Sequence, residues 1–174
     1  MCAACWLLAA PLYASGAPDR YEAEVLLQLE RVRVALGKAG YAPSHSPLVE
    51  KLARGARLSH AVALETGFDY AVVSVCDSDC DDVDIWVSDE NGNNVGTDQS
   101  EDDVPVVALT PVWSGQFTIA LTAPGCRAVR CTVGIGFFAQ PTAPDEGRNA
   151  GLRDQTAPKT IAVMNANAAA SAKY

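Results

Sequence analysis

Two residue types in this chain stand at numbers and spacings that can do chemistry: carboxylates crowded into one stretch, and cysteines set in two close pairs. Between Asp77 and Asp103 stand nine aspartates and two glutamates, 11 of the chain's 21 acids, and no Lys or Arg occurs from His60 to Cys126. Carboxylates at that density repel one another, so water, backbone amides or a bound hard cation must offset the cost. Calcium takes roughly six to eight oxygens, and Asp77, Asp79, Asp81, Asp82, Asp84, Asp98, Asp102 and Asp103 are the candidates to supply them. An EF-hand is excluded: a loop opening at Asp77 carries Asp82 where glycine belongs and Ser88 where the bidentate glutamate belongs. The plainer reading is that these acids keep sheet edges and loop tips soluble and unpaired.

Asp82 and Asp84 share one face of an extended chain, as a carboxylate pair for glycoside hydrolysis would. A general acid needs a pKa raised by an apolar pocket, however, and this stretch is hydrophilic and crowded by anions. Hydrolysis is therefore not the expected activity.

Three residues separate Cys76 from Cys80, and four separate Cys126 from Cys131. Local disulfides that staple turns at strand ends are the expectation for an exported chain. Crossed pairing and a four-thiolate zinc site are the alternatives left open by spacing, although neither pair has the C-x2-C form usual in zinc knuckles. His45, in the loop SHSP, and His60, in an alternating run, accompany no G-x-S-x-G elbow, and both are expected to be structural. Trp86 and Trp113 can stack on a sugar ring, with strand packing as their commoner use. No phosphate-cradling glycine loop, dinucleotide fingerprint or N-x-[ST] site is present.

The elements that must position these groups follow from periodicity. The chain has 174 residues, enough for one domain with tails, and 49% hydrophobic with 20% charged residues excludes wholesale disorder, collagen and a multi-span membrane protein. Thirteen basic against 21 acidic residues leave a net charge of −8, so nucleic acid is not an expected partner. Residues 1–17, MCAACWLLAAPLYASGA, read as a secretion signal: an apolar run at Trp6–Leu8 leads to small residues at Ala14 and Gly16, although no cation precedes it. That run falls well short of the roughly 20 residues that span a bilayer. The expected compartment is therefore extracellular or periplasmic, and Cys2 and Cys5 leave with the signal.

Residues 18–38 form the clearest helix, with Asp19 and Glu22 in capping-box spacing and Tyr21, Val25, Leu29, Val32 and Leu36 as one apolar stripe ending at Gly37. Residues 39–55 read as a loop. From residue 56 to residue 140 the period is two, with strands expected around Leu58–Leu64, Tyr70–Val75, Val83–Ser88, Val104–Thr110, Gln116–Thr122 and Cys131–Phe138, separated by turn chemistry. Several short strands with no helix between them predict a mainly β fold, an antiparallel jelly-roll-like β-sandwich with one N-terminal amphipathic α-helix. The tail, residues 141–174, turns to Ala, Asn, Thr and Pro and reads as a linker or exchange arm, in which Thr160–Met164 can add as a strand to a sheet edge.

Residues 56–140 also resemble the bacterial pre-peptidase C-terminal (PPC) domain and its relatives in small secreted proteins. The resemblance is carried by Asp82-Val83-Asp84, the turn Asp89-Glu90-Asn91-Gly92-Asn93, the acidic Asp98–Asp103 and the strand opening Pro111-Val112-Trp113-Ser114-Gly115-Gln116-Phe117-Thr118-Ile119. It implies an exported jelly-roll-like sandwich, in most settings an accessory module beside an enzyme, in some a binder of calcium or polysaccharide. No protease accompanies the module in this sequence, so a free-standing role is expected. The functional expectation is a non-catalytic exported structural protein that associates with copies of itself, up to a filament, through its helix or its arm. The alternative is a monomeric calcium- or glycan-binding module for a polysaccharide or cell surface.

Overall fold

The computed structural model describes residues 17–142; most of the signal-like segment and the arm from residue 143, with Thr160–Met164, lie outside the described residues. Helix α1, Arg20–Gly37, begins where the sequence places it. The Asp19 carboxylate accepts from the backbone amides of Tyr21 and Glu22, both at 3.0 Å, while Glu22 reaches back to the Asp19 amide at 3.1 Å. Each bond satisfies a donor that the first helical turn leaves without an intrahelical partner.

Nine strands follow: β1 Ala42–Pro43, β2 Leu48–Ala53, β3 Arg57–Leu64, β4 Phe68–Cys76, β5 Asp84–Ser88, β6 Asn94–Asp98, β7 Val106–Leu109, β8 Gly115–Thr122 and β9 Arg130–Pro141. They form two antiparallel sheets. In the first, β1 and β2 both pair with β9, which pairs with β4, which pairs with β7; the second runs β3-β8-β5-β6. The pairs β2·β9, β3·β8, β4·β7 and β5·β6 nest inside one another and fall alternately in the two sheets. Such nesting is a long antiparallel hairpin rolled up on itself, the jelly-roll arrangement expected from the sequence.

The apolar interior forms two layers. Between the sheets lie Val62, Leu64, Tyr70, Val72, Ile85, Val87, Val107, Phe117, Ile119, Leu121, Val133, Ile135 and Phe137. A second layer lies between α1 and the outer face of the first sheet, where Val25, Leu29, Val32 and Leu36 meet Ala71, Val73, Val75, Val104 and Phe138. Burial of these four helical side chains contributes about 1.5–3 kcal/mol each. The helix explains why β4 reads AVVSVC: with both faces covered, the two alternating sets must each be apolar.

Two parts of the sequence reading are corrected. Residues 39–55, expected as a loop, contain β1 and β2, and the polar stretch after β5 contains β6. Both β2 and β6 are edge strands with exposed polar positions, so they lack a clean period of two; their partners β9 and β5 supply the ladder that defines them.

Candidate functional site

Strand ends alternate between the two ends of the sandwich, and the eight candidate aspartates collect at one of them. The β4–β5 and β8–β9 connections meet there. Disulfides join Cys76 to Cys80 and Cys126 to Cys131, with Cα atoms 5.9 Å apart in each pair. Local pairing is thus observed, and Cys80 and Cys126 face each other across an antiparallel bridge that sets the two staples side by side. Stapled pairs of this kind fit an oxidising compartment, extracellular or periplasmic. No helix among the described residues is long and apolar enough to cross a membrane.

Arg127, the first cation after the long anionic stretch, laces the corner. Its backbone amide donates to the Asp79 carbonyl at 2.9 Å, its guanidinium donates to the Ser78 carbonyl at 2.8 Å, and the same group pairs with Asp81. Gly125 is required beside it, since a Cβ there would stand 2.4 Å from Asp81 Oδ1 and 2.5 Å from the Asp82 amide nitrogen.

Most of the eight candidate ligands prove to be acceptors for the protein's own donors. Asp77 is buried; its carboxylate accepts from the amides of Asp79 at 3.1 Å and Thr132 at 2.5 Å, tying the β4–β5 turn to β9. Asp84 accepts from the Thr122 hydroxyl at 3.1 Å. Asp98 takes the Ser100 amide and hydroxyl on one oxygen and the Val106 amide, at 2.9 Å, on the other, joining β6 to β7. Asp102 accepts from the Val104 amide at 2.9 Å, and its carbonyl accepts from Val83. Asp103 is half-buried on the same loop.

Asp82 differs. Its Oδ1 is buried without a hydrogen-bond partner. Burial first, then the charges of Asp84, Glu101, Asp102 and Asp81, push its carboxyl above the ordinary carboxylate range. The hydrophilic composition of this stretch argues against a raised carboxyl pKa; at Asp82 folding supplies burial that composition does not reveal. Glu101, absent from the sequence-based ligand set, belongs to the charge neighbourhood of this residue. Among the described residues, no three His, Cys, Asp or Glu side chains converge as a metal-binding group. An oxygen-rich neighbourhood with one orphaned carboxylate atom suits a hard cation chemically, while Asp77 and Asp98 are already engaged on both oxygens.

Asp89, left out of the candidate set, organises the opposite end. Its carboxylate accepts from the amides of Asn91 and Asn93 and from the Asn93 side chain at 2.8–2.9 Å, and these bonds, that from the Asn93 side chain foremost, hold its pKa below the usual range. The signal was legible as an Asx-type turn in Asp89-Glu90-Asn91-Gly92-Asn93.

The two tryptophans are not brought to the acids' loops together. Trp86 lies half-buried on the outer face of the second sheet with the Arg57 guanidinium 4.7 Å above its ring. Trp113 sits at the opposite end from the disulfides, stacked on Phe117 with ring centroids 5.9 Å apart. Both histidines pack against Phe137, His45 edge-on at 5.5 Å and His60 at 6.1 Å, and His45 Nδ1 lies 3.0 Å from the hydroxyl of its neighbour Ser44. A cleft of about 420 Å³ opens at this end, lined by Pro43, His45, Ala63, Phe68, Tyr70 and Pro141 among others. No protein-family model matches the chain, and no curated protein matches it in sequence.

Proposed function

We propose that this is a non-catalytic, exported structural protein built on a PPC-like sandwich, and that it associates with copies of itself. The observation that carries the reading is the free edge of β3. This strand spans eight residues and, among the described residues, pairs with β8 alone, and Leu58–Leu64 contains no charged residue. The other edges carry devices that blunt strand addition. β1 contains Pro43, β2 carries Glu50 and Lys51, β7 is four residues long between Pro105 and Pro111, and β6 is bulged and tied to β7 through Asp98. The apolar stripe of α1 is covered by the chain's own first sheet, while Leu26, Leu27 and Val34 of the same helix stay exposed, so the helix, the arm and the β3 edge are the associating parts to weigh, and the arm and the β3 edge are the pair that strand addition joins. Light scattering tests the reading: the full chain is expected to form species larger than a monomer, and a chain ending at Gln140 is expected to form fewer. A monomeric full chain at all accessible concentrations removes it.

A second reading, a calcium-binding surface module, is favoured by Asp82 Oδ1, buried without a partner among Asp84, Glu101 and Asp102. Here calcium raises the melting temperature, chelation lowers it, and Asp82→Asn with Asp84→Asn abolishes the response. No shift on adding calcium rejects this reading. A glycan ligand would have to displace Arg57 to reach Trp86, so Trp113 is the stronger stacking candidate of the two.

A further inference from the structure

We infer that Thr160–Met164 of a second copy adds as a strand along the free edge of β3, with its apolar side chains entering the cleft at the end of that edge. The inference rests on the self-association reading and names its donor and acceptor. An edge strand turns every second residue's N–H and C=O away from its partner, and those groups in β3 have no backbone partner among the described residues. Side chains along β3 alternate, with Val62 and Leu64 buried, Leu58 and His60 half-buried, and Ser59, Ala61 and Ala63 exposed. An added strand therefore needs apolar residues on the core side and tolerates small ones outside.

Lys159-Thr160-Ile161-Ala162-Val163-Met164-Asn165 meets that demand: Ile161 and Val163 fall on one face, with Ala162 between them on the other. It is the one such β-branched stretch beyond Thr142. The cleft lies where the layers part, between β1 and the end of β3, and Ala42, Pro43, Ala63, Phe68 and Tyr70 supply apolar wall. Pro141 also lines it, so the described chain ends beside the acceptor, and the 17 residues from 143 to 159 separate Thr142 from the donor. Any random-coil chain of that length has an r.m.s. span of roughly 20–25 Å, comparable with the distance across a small domain. Charge agrees: the arm from residue 143 carries four basic and three acidic residues, whereas the whole chain has a net charge of −8. Donor and acceptor are different surfaces of one chain, so the contact is heterologous and can propagate into an open array.

Cross-linking tests the assignment. In the full chain with Cys2→Ser and Cys5→Ser, Ala162→Cys is combined in turn with Ser59→Cys, Ala61→Cys and Ala63→Cys, which covers three registers on the exposed face. Mild oxidation is expected to give covalent dimers and longer ladders in at least one combination, about tenfold above either single-cysteine control. Cross-links confined to monomers overturn the assignment to a second copy. Absence of cross-links in all three registers, with the parent chain associated by light scattering, overturns the donor and acceptor while self-association stands. A monomeric parent removes both. Should the added cysteines disturb folding, Ile161→Asp with Val163→Asp alters none of the described residues and is expected to lower association about tenfold; unchanged association overturns the inference.

Discussion

A Cβ placed on Gly134 would stand 2.5 Å from Val25 Cγ1, so the approach of α1 to the first sheet depends on a residue without a side chain in β9. Leu29 Cδ1 at 3.0 Å and Val75 Cγ2 at 3.3 Å close the same space. Gly136, two residues on, would meet Phe138 and Leu29. The two glycines form the floor into which the helix stripe settles.

Gly134→Ala is therefore expected to destabilise the fold by about 1–3 kcal/mol through overpacking. Denaturant unfolding checks this, and Gly37→Ala, at a position where nothing stands within 4 Å, is the control expected to change little. Equal effects at the two sites would show that the helix does not dock as described.

Asp77 is a buried acceptor for two amides from different segments, Asp79 and Thr132. Asp77→Ala leaves the buried Thr132 amide without this partner, at a cost of about 1–3 kcal/mol, and releases the half-buried Asp79 amide as well. The unfolding midpoint is expected to fall accordingly, more than for Asp81→Ala, whose partner Arg127 lies in solvent.

Asp82 has a raised pKa, so the folded chain holds its proton more tightly than the unfolded chain does. Its charge weakens the fold above the folded pKa, and the penalty fades as pH falls through that pKa towards the unfolded value. Asp82→Asn is expected to melt at a higher temperature than the native chain at neutral pH, with the gap closing in acid. A neutral-pH melting temperature at or below the native value counts against the burial described.

Asp89 has the opposite sign. Hydrogen bonds to its charged form, led by that from the Asn93 side chain, lower its pKa. Its contribution is present above the unfolded carboxylate pKa and disappears as pH falls through the lower folded value. Asp89→Ala is expected to lower the melting temperature at neutral pH and to converge with the native chain in strong acid, which a pH series of thermal melts reads directly.

Each disulfide closes a short loop, four residues apart in one case and five in the other. Chain-entropy reasoning assigns about 2 kcal/mol to a loop of this size. Replacing Cys126 and Cys131 by serine is expected to cost about that much and to leave the fold standing. Intact mass of the described region rises by four hydrogens on full reduction, two for each bridge.

Local chemistry decided what could be read from the chain alone. The capping box at Asp19 and Glu22, the stripe from Val25 to Leu36, the strands with clean alternation and the neighbouring cysteine pairs all depend on residues close in sequence, and each appears in the fold. β2 and β6 escaped because an edge strand with polar, exposed positions is defined by its partner's hydrogen bonds. The acids were countable, but their roles were not. Whether a carboxylate meets solvent, Thr132 or other carboxylates depends on connections far along the chain, 55 residues away for Asp77 and Thr132, which only the rolled hairpin brings together. The same long-range packing left the outer edge of β3 without a strand partner among the described residues while it covered the stripe of α1, because pairing and burial are properties of surfaces in contact and not of the segments that form them.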